Sequence, residues 1–121
     1  MKTWKKLRSE KSENLRIAKV RFDTWKNPRN GTELKATVLE TPDWVNIVAL
    51  TVEGKILVVK QFRLGTEAVT TETPAGVMEE GEDPQDAAIR ELAEETGYTT
   101  DDWTCLGWVE PNPAYQDNHC H

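Results

Sequence analysis

The stretch "DPQDAAIRELAEETG", Asp83 to Gly97, constrains this chain most, because it carries its own start and stop. Asp83 has the short oxygen side chain that caps a helix N-terminus, and Pro84 fits the first helical position, where a missing N–H costs nothing. Asp86 complements the positive end of the helix dipole, and Gly97 supplies the left-handed residue that ends a helix. Together they predict a helix over residues 84–96.

At about 100° per residue, Glu91 and Glu95 stack one above the other, with Glu94 beside them. Ala88, Ile89, Leu92 and Thr96 fall on the neighbouring face, which suits packing on a sheet. Small Ala87 is expected on the acidic side, one turn before Glu91, leaving space for something bound. An acidic face is ordinarily just solvated. Here, however, like charges at i, i+4 cost about 0.2–0.5 kcal/mol, and Glu94 and Glu95 sit at the negative end of the dipole. A divalent cation among them reverses both effects, and hard oxygen ligands favour magnesium or manganese.

The remainder reads as strands. Residues 1–16 are of mixed charge with little periodicity and are expected to form a mobile arm or a frayed helix. Ile17 to Trp25 is extended in character, and Asn30-Gly31 is a hairpin turn signal before the strand "LKATVLE". "WVNIVALTV" reads as another strand. After a turn at Glu53-Gly54, the apolar run Ile56 to Val59 suggests an interior strand buried on both faces. "EAVTTETP" is a strand ended by Pro74, and "WTCLGWVE" a strand after the helix. The expected class is α+β, with an arm at 1–16 and one domain at 17–121.

Composition narrows the function. The 121 residues suit one compact domain, and a formal charge of -6 with a pI near 5.0 argues against general affinity for nucleic acid or anionic membrane. No apolar run approaches the length of a bilayer span, and the start lacks an apolar signal core. Two cysteines, Cys105 and Cys120, make no disulfide framework, which points to a reducing cytoplasm.

Gly76, Glu82, Arg90-Glu91-Leu92, Glu94-Glu95 and Gly97-Tyr98 match G-x5-E-x7-R-E-U-x-E-E-x-G-U at every fixed letter, with U a bulky apolar residue. The one soft departure is aromatic Tyr98. In this the chain resembles the Nudix family, and the density of fixed positions makes the match specific. The resemblance implies a mixed β-sheet between helices and a box that holds divalent cations against a diphosphate. Glu91 and Glu95 would be the principal metal ligands, with Glu94 a further ligand or the residue orienting water, and Ala75 a ligand through its carbonyl. Arg90 would hold the carboxylates, and Glu82 would stabilise the box.

The flanks "LETPDWVNIVAL", "VVKQFRLG" and "ETPAGVMEEGE" look like the branch of ADP-ribose and other nucleoside-diphosphate-sugar pyrophosphatases. That likeness implies substrate contacts from Gln61 and Arg63, the latter suited to bidentate grip of a diphosphate. Pro113, sixteen residues beyond Gly97, matches a further mark of ADP-ribose hydrolases, although its loop departs from the commonest version. The substrate implied is a nucleoside diphosphate sugar, and dimerisation through N-terminal strands is common in that branch. For Trp44 and Trp108 strand packing is expected. Trp25 is open between base stacking and an interface, and the terminal His119 and His121 are read as incidental.

The family fold normally continues into another strand and a second long helix, so the chain resembles a Nudix domain cut short at its C-terminus. That leaves two rival readings beside the ADP-ribose one. The chain is then a ligand-binding or inactive fragment, or it hydrolyses nucleoside triphosphates or GDP-sugars.

Overall fold

The computed structural model describes residues 3–121, so Met1 and Lys2 of the expected arm lie outside the described residues. Seven strands precede one α-helix among the described residues, an α+β arrangement as expected. The chain divides into two compact units, residues up to 42 with 110–119, and 43–109 with 120–121.

In the first unit, β1 (Lys5–Asn14), β2 (Lys19–Lys26) and β3 (Glu33–Glu40) form an antiparallel sheet in the order β1-β2-β3. The expected arm is therefore largely a strand. Pairing with β2, interrupted by register shifts at Lys6/Arg8 and Glu10/Glu13, holds it extended. The β2–β3 hairpin closes where Asn27 N–H donates to Thr32 C=O, with Gly31 at φ 76°, the left-handed backbone that Asn-Gly foretold. Asp23 and Thr24 are buried in this sheet. The Asp23 carboxylate accepts from Ser9 Oγ at 2.6 Å, pairs with Lys6 Nζ at 2.6 Å and with Arg21 Nε at 3.1 Å. Burial pushes the Asp23 pKa up, but Lys6, Ser9 and Arg21 outweigh it and hold the group below the usual carboxylate range.

In the second unit, β4 (Trp44–Asn46) pairs with β7 (Ala75–Val77), and β5 (Val59–Arg63) with β6 (Ala68–Glu72), both antiparallel. Helix α1 (Pro84–Thr96) packs on β4 and β7, and Val45, Ile47, Ala87 and Leu92 make the core there. Ala87 thus faces the core, not the acidic side as expected. It is wholly buried, and its small size allows the helix to approach the strands. The Asp83 side chain accepts from Gln85 N–H, and Gly97 at φ 74° donates its N–H to Ala93 C=O, so both predicted ends hold.

Three strand readings need correction. The run Ile56 to Val59 is not buried on both faces, since Ile56 is 57% and Val58 50% exposed. Only Val59 of that run enters a strand, β5, which within the described residues pairs only with β6. "WTCLGWVE" forms no strand beyond one bridge between Val109 and Cys120, and Trp108 is 58% exposed where strand packing was expected. "WVNIVALTV" keeps only three residues as β4 before leaving the sheet. No helix among the described residues is long and apolar enough to cross a membrane.

Candidate functional site

The second unit gathers the box residues around the backbone of Ala75 and Gly76. Trp44 to Asn46 pair with β7 and fix that backbone, while α1 brings Glu91 and Glu95 up to it from below. A β-carbon built on Gly76 would lie 1.9 Å from Glu91 Cδ, so the missing side chain is the space that the carboxyl fills. Glu95 Oε2 accepts the Ala75 N–H at 3.1 Å, and Glu95 Oε1 accepts from Gln61 Nε2 on β5.

Arg90 is the hub of the opposite side. Its Nε and Nη2 donate to the two carboxylate oxygens of Glu82 at 3.0 and 2.9 Å, Nη1 to Glu91 Oε1 at 2.6 Å, and Nη2 also to the Val77 carbonyl at 3.1 Å. The same Nη1 stands 3.5 Å from Glu94 Oε2, on a side chain that remains 60% exposed. Arg90, followed by the Glu79 N–H, holds the Glu82 carboxyl below its ordinary range, and Glu82 and Glu91 together raise the proton affinity of Arg90. Arg90 thus cancels part of the repulsion that the acidic helix raised as a question.

Ala75 and Gly76 also floor an open groove of about 550 Å³, bordered by Trp44, Asn46, Arg63 and Glu72. Half-buried Trp44, a β4 residue as expected, also lines this groove. Arg63 donates from Nε and Nη2 to Glu72 at 3.0 and 2.6 Å. Arg63, then Thr70, lowers the Glu72 pKa from 4.5 to about 2. Glu72 and Thr70 escaped the sequence reading. Arg63 pairs with Ala68 and reaches back along the ribbon past Thr70 to Glu72, a diagonal contact that strand periodicity does not mark.

The remaining expected residues lie elsewhere along the chain. Pro113 belongs to an exposed turn in the other unit, where Tyr115 and Gln116 donate to Asn112. Trp25, also in that unit, has the Lys6 ammonium 5.2 Å from its ring centre. His121 Nε2 stands 3.5 Å from Asp43 Oδ2. Among the described residues, no three His, Cys, Asp or Glu side chains are gathered as a ready metal cage. The donor chemistry nonetheless suits a hard cation, since Glu91 and Glu95 bring carboxylate oxygens to the Ala75–Gly76 backbone.

Fold and site define an α+β domain whose acidic helix lies beneath a glycine-bearing strand at the floor of a groove. The NUDIX domain model matches residues 41–121, and the chain belongs to the Nudix family. The chain is 42% identical over 92 residues to the ADP-ribose pyrophosphatase of Bacillus subtilis (strain 168), covering 76% of this chain and 50% of that protein. It is 36% identical over 117 residues to the methanol dehydrogenase activator of Bacillus methanolicus, covering 97% and 63%. The crystal structure of an ADP compounds hydrolase superimposes with a TM-score of 0.86 at 24% identity, over 99% of this chain and 65% of that one. The chain thus spans about half to two thirds of the length of these relatives, and the last likeness establishes the fold alone.

Proposed function

We propose that this chain hydrolyses the diphosphate linkage of ADP-ribose or a similar nucleoside diphosphate sugar, with magnesium or manganese held by Glu91 and Glu95. One observation carries the reading: the two carboxylates converge on Ala75–Gly76, and the same backbone floors the groove that Arg63 borders. The name of the Bacillus subtilis relative, an ADP-ribose pyrophosphatase, supports the substrate class.

A bound divalent cation neutralises diphosphate charge and lowers the pKa of attacking water. The chain's own residues do the rest. Arg90 holds Glu91 by a charge-assisted bond, and the Ala75 amide holds Glu95. Exposed Glu94 is the third carboxylate of the set, as a further ligand or the group that orients water. Ala75, whose amide meets Glu95, would add its carbonyl as a further ligand. Arg63, braced by Glu72, presents its remaining N–H groups to the diphosphate oxygens. Water attacks one phosphorus, the bridging P–O bond breaks, and AMP and ribose 5-phosphate leave with no covalent intermediate.

The test is incubation of the purified chain with ADP-ribose and magnesium beside Glu95→Gln, with AMP followed by chromatography. AMP from the parent and none from the variant is the expected result. Pyrophosphate release from nucleoside triphosphates, without AMP from ADP-ribose, overturns the substrate. No turnover, with ADP-ribose still raising the melting temperature, makes the chain a binding domain.

A further inference from the structure

The resemblance assigns Gln61 to the substrate, yet its carboxamide is engaged elsewhere. Gln61 Nε2 donates to one oxygen of Glu95, and the Ala75 amide donates to the other at 3.1 Å. Each oxygen of that carboxylate therefore has a protein donor, one from β5 and one from β7. Gln61 and Glu95 are both partly buried, which confines the pair further. A glutamate with three rotatable bonds samples several staggered arrangements when free. Donors on both oxygens select one of them. β5 belongs to a different sheet from the strands on which α1 packs, so the contact also joins the β5–β6 hairpin to the helix.

We propose that Gln61 is a positioning residue for Glu95 and not a substrate contact. It fixes the carboxylate in the orientation in which the box takes up a divalent cation. This rests on the reading of the box given above. Groups that orient a ligand by hydrogen bonds, without touching the metal, typically change metal affinity on the order of 10- to 100-fold when removed. Gln61 acts on Glu95 in this way, since its carboxamide N–H donates to a carboxylate oxygen.

Manganese alone, without nucleotide, tests this. Its binding is followed by electron paramagnetic resonance of free Mn²⁺ in the parent, Gln61→Met, Glu95→Gln and the double variant. Gln61→Met keeps the length and removes the donor; Gln61→Asn, polar but too short to reach, is the second variant in case the first fails to fold. Each is expected to weaken Mn²⁺ binding on the order of 10- to 100-fold. In the Glu95→Gln background, Gln61→Met is expected to change nothing further, because the residue acts through Glu95. Equal losses in both backgrounds overturn the proposal and leave the bond a staple of the hairpin. Parental Mn²⁺ affinity with weakened ADP-ribose binding also overturns it, and returns Gln61 to the substrate. A parent that takes up no Mn²⁺ overturns the reading of the box, and this proposal with it.

Discussion

The carboxyl carbon of Glu91 stands 1.9 Å from where a β-carbon on Gly76 would lie. The backbone there is ordinary, so Gly76 is required for space and not for its conformational range. Gly76→Ala is expected to push Glu91 off its place by Arg90 and to destabilise the domain by about 1–3 kcal/mol, as overpacking does. Thermal unfolding should show a melting temperature several degrees lower, with ADP-ribose turnover falling in parallel. Parental melting and turnover would refute the close fit.

Arg90→Lys keeps the charge and loses the planar fork. A lysine cannot grip both oxygens of Glu82 while also holding Glu91. Turnover of ADP-ribose is expected to fall on the order of 10- to 100-fold, with magnesium dependence shifted to higher concentration. Steady-state kinetics across a magnesium series checks both. An unchanged magnesium dependence would assign Arg90 to folding alone.

The Arg63–Glu72 pair sets an acid limit. Arg63 and Thr70 depress the Glu72 pKa from 4.5 to about 2, so the folded state binds the proton less well than the unfolded one. Its contribution is therefore present above about pH 4.5 and is lost as the pH falls towards about 2. Denaturant midpoints of the parent and Glu72→Gln, measured from pH 7 to pH 2, should converge as the pH drops. Because the pair is substantially exposed, 0.5 M salt should shrink the difference at neutral pH. Parallel curves would show that the pair adds nothing.

Asp23 is buried among three donors, and removing it takes an ion-pair partner from Lys6 and from Arg21, although Arg21 still pairs with Glu40 and Asp117. Both cations keep some access to water, so the loss for Asp23→Ala is expected to be about 2 kcal/mol, below the 3–5 kcal/mol of a fully enclosed pair. Urea unfolding gives this directly. Its pKa is depressed as well, so this stability too is kept at neutral pH and lost in acid. A variant within about 0.5 kcal/mol of the parent would place the network among dispensable surface charges.

The helix was legible because its determinants are local. Asp83, Pro84 and Gly97 act on their own few residues, and the observed ends agree with them. The strands depend on what lies beside them. Lys5–Asn14 has no apolar alternation to announce a strand and is extended because β2 offers it a ladder. Ile56 to Val59 looks like a core strand, yet only Val59 enters one, and among the described residues that strand pairs only with β6. Ala87 was misplaced by helical geometry alone, since residues near a stripe edge can turn either way until a sheet fixes the face. At the site, spacing identified Gly76, Arg90, Glu91 and Glu95 as a set. It did not reveal Glu72, whose tie to Arg63 exists only once the hairpin has closed, or the bond between Gln61 and Glu95.

The two thiols are unequal. Cys105 is exposed, whereas Cys120 is 8% exposed and bonded through both backbone groups to Val109, and burial pushes its thiol pKa up. A thiol-directed reagent therefore meets one residue at once and the other only when the bridge to Val109 opens. Counting labelled sulfurs against time gives a clock for local opening beside β4, built into the chain and needing no added probe.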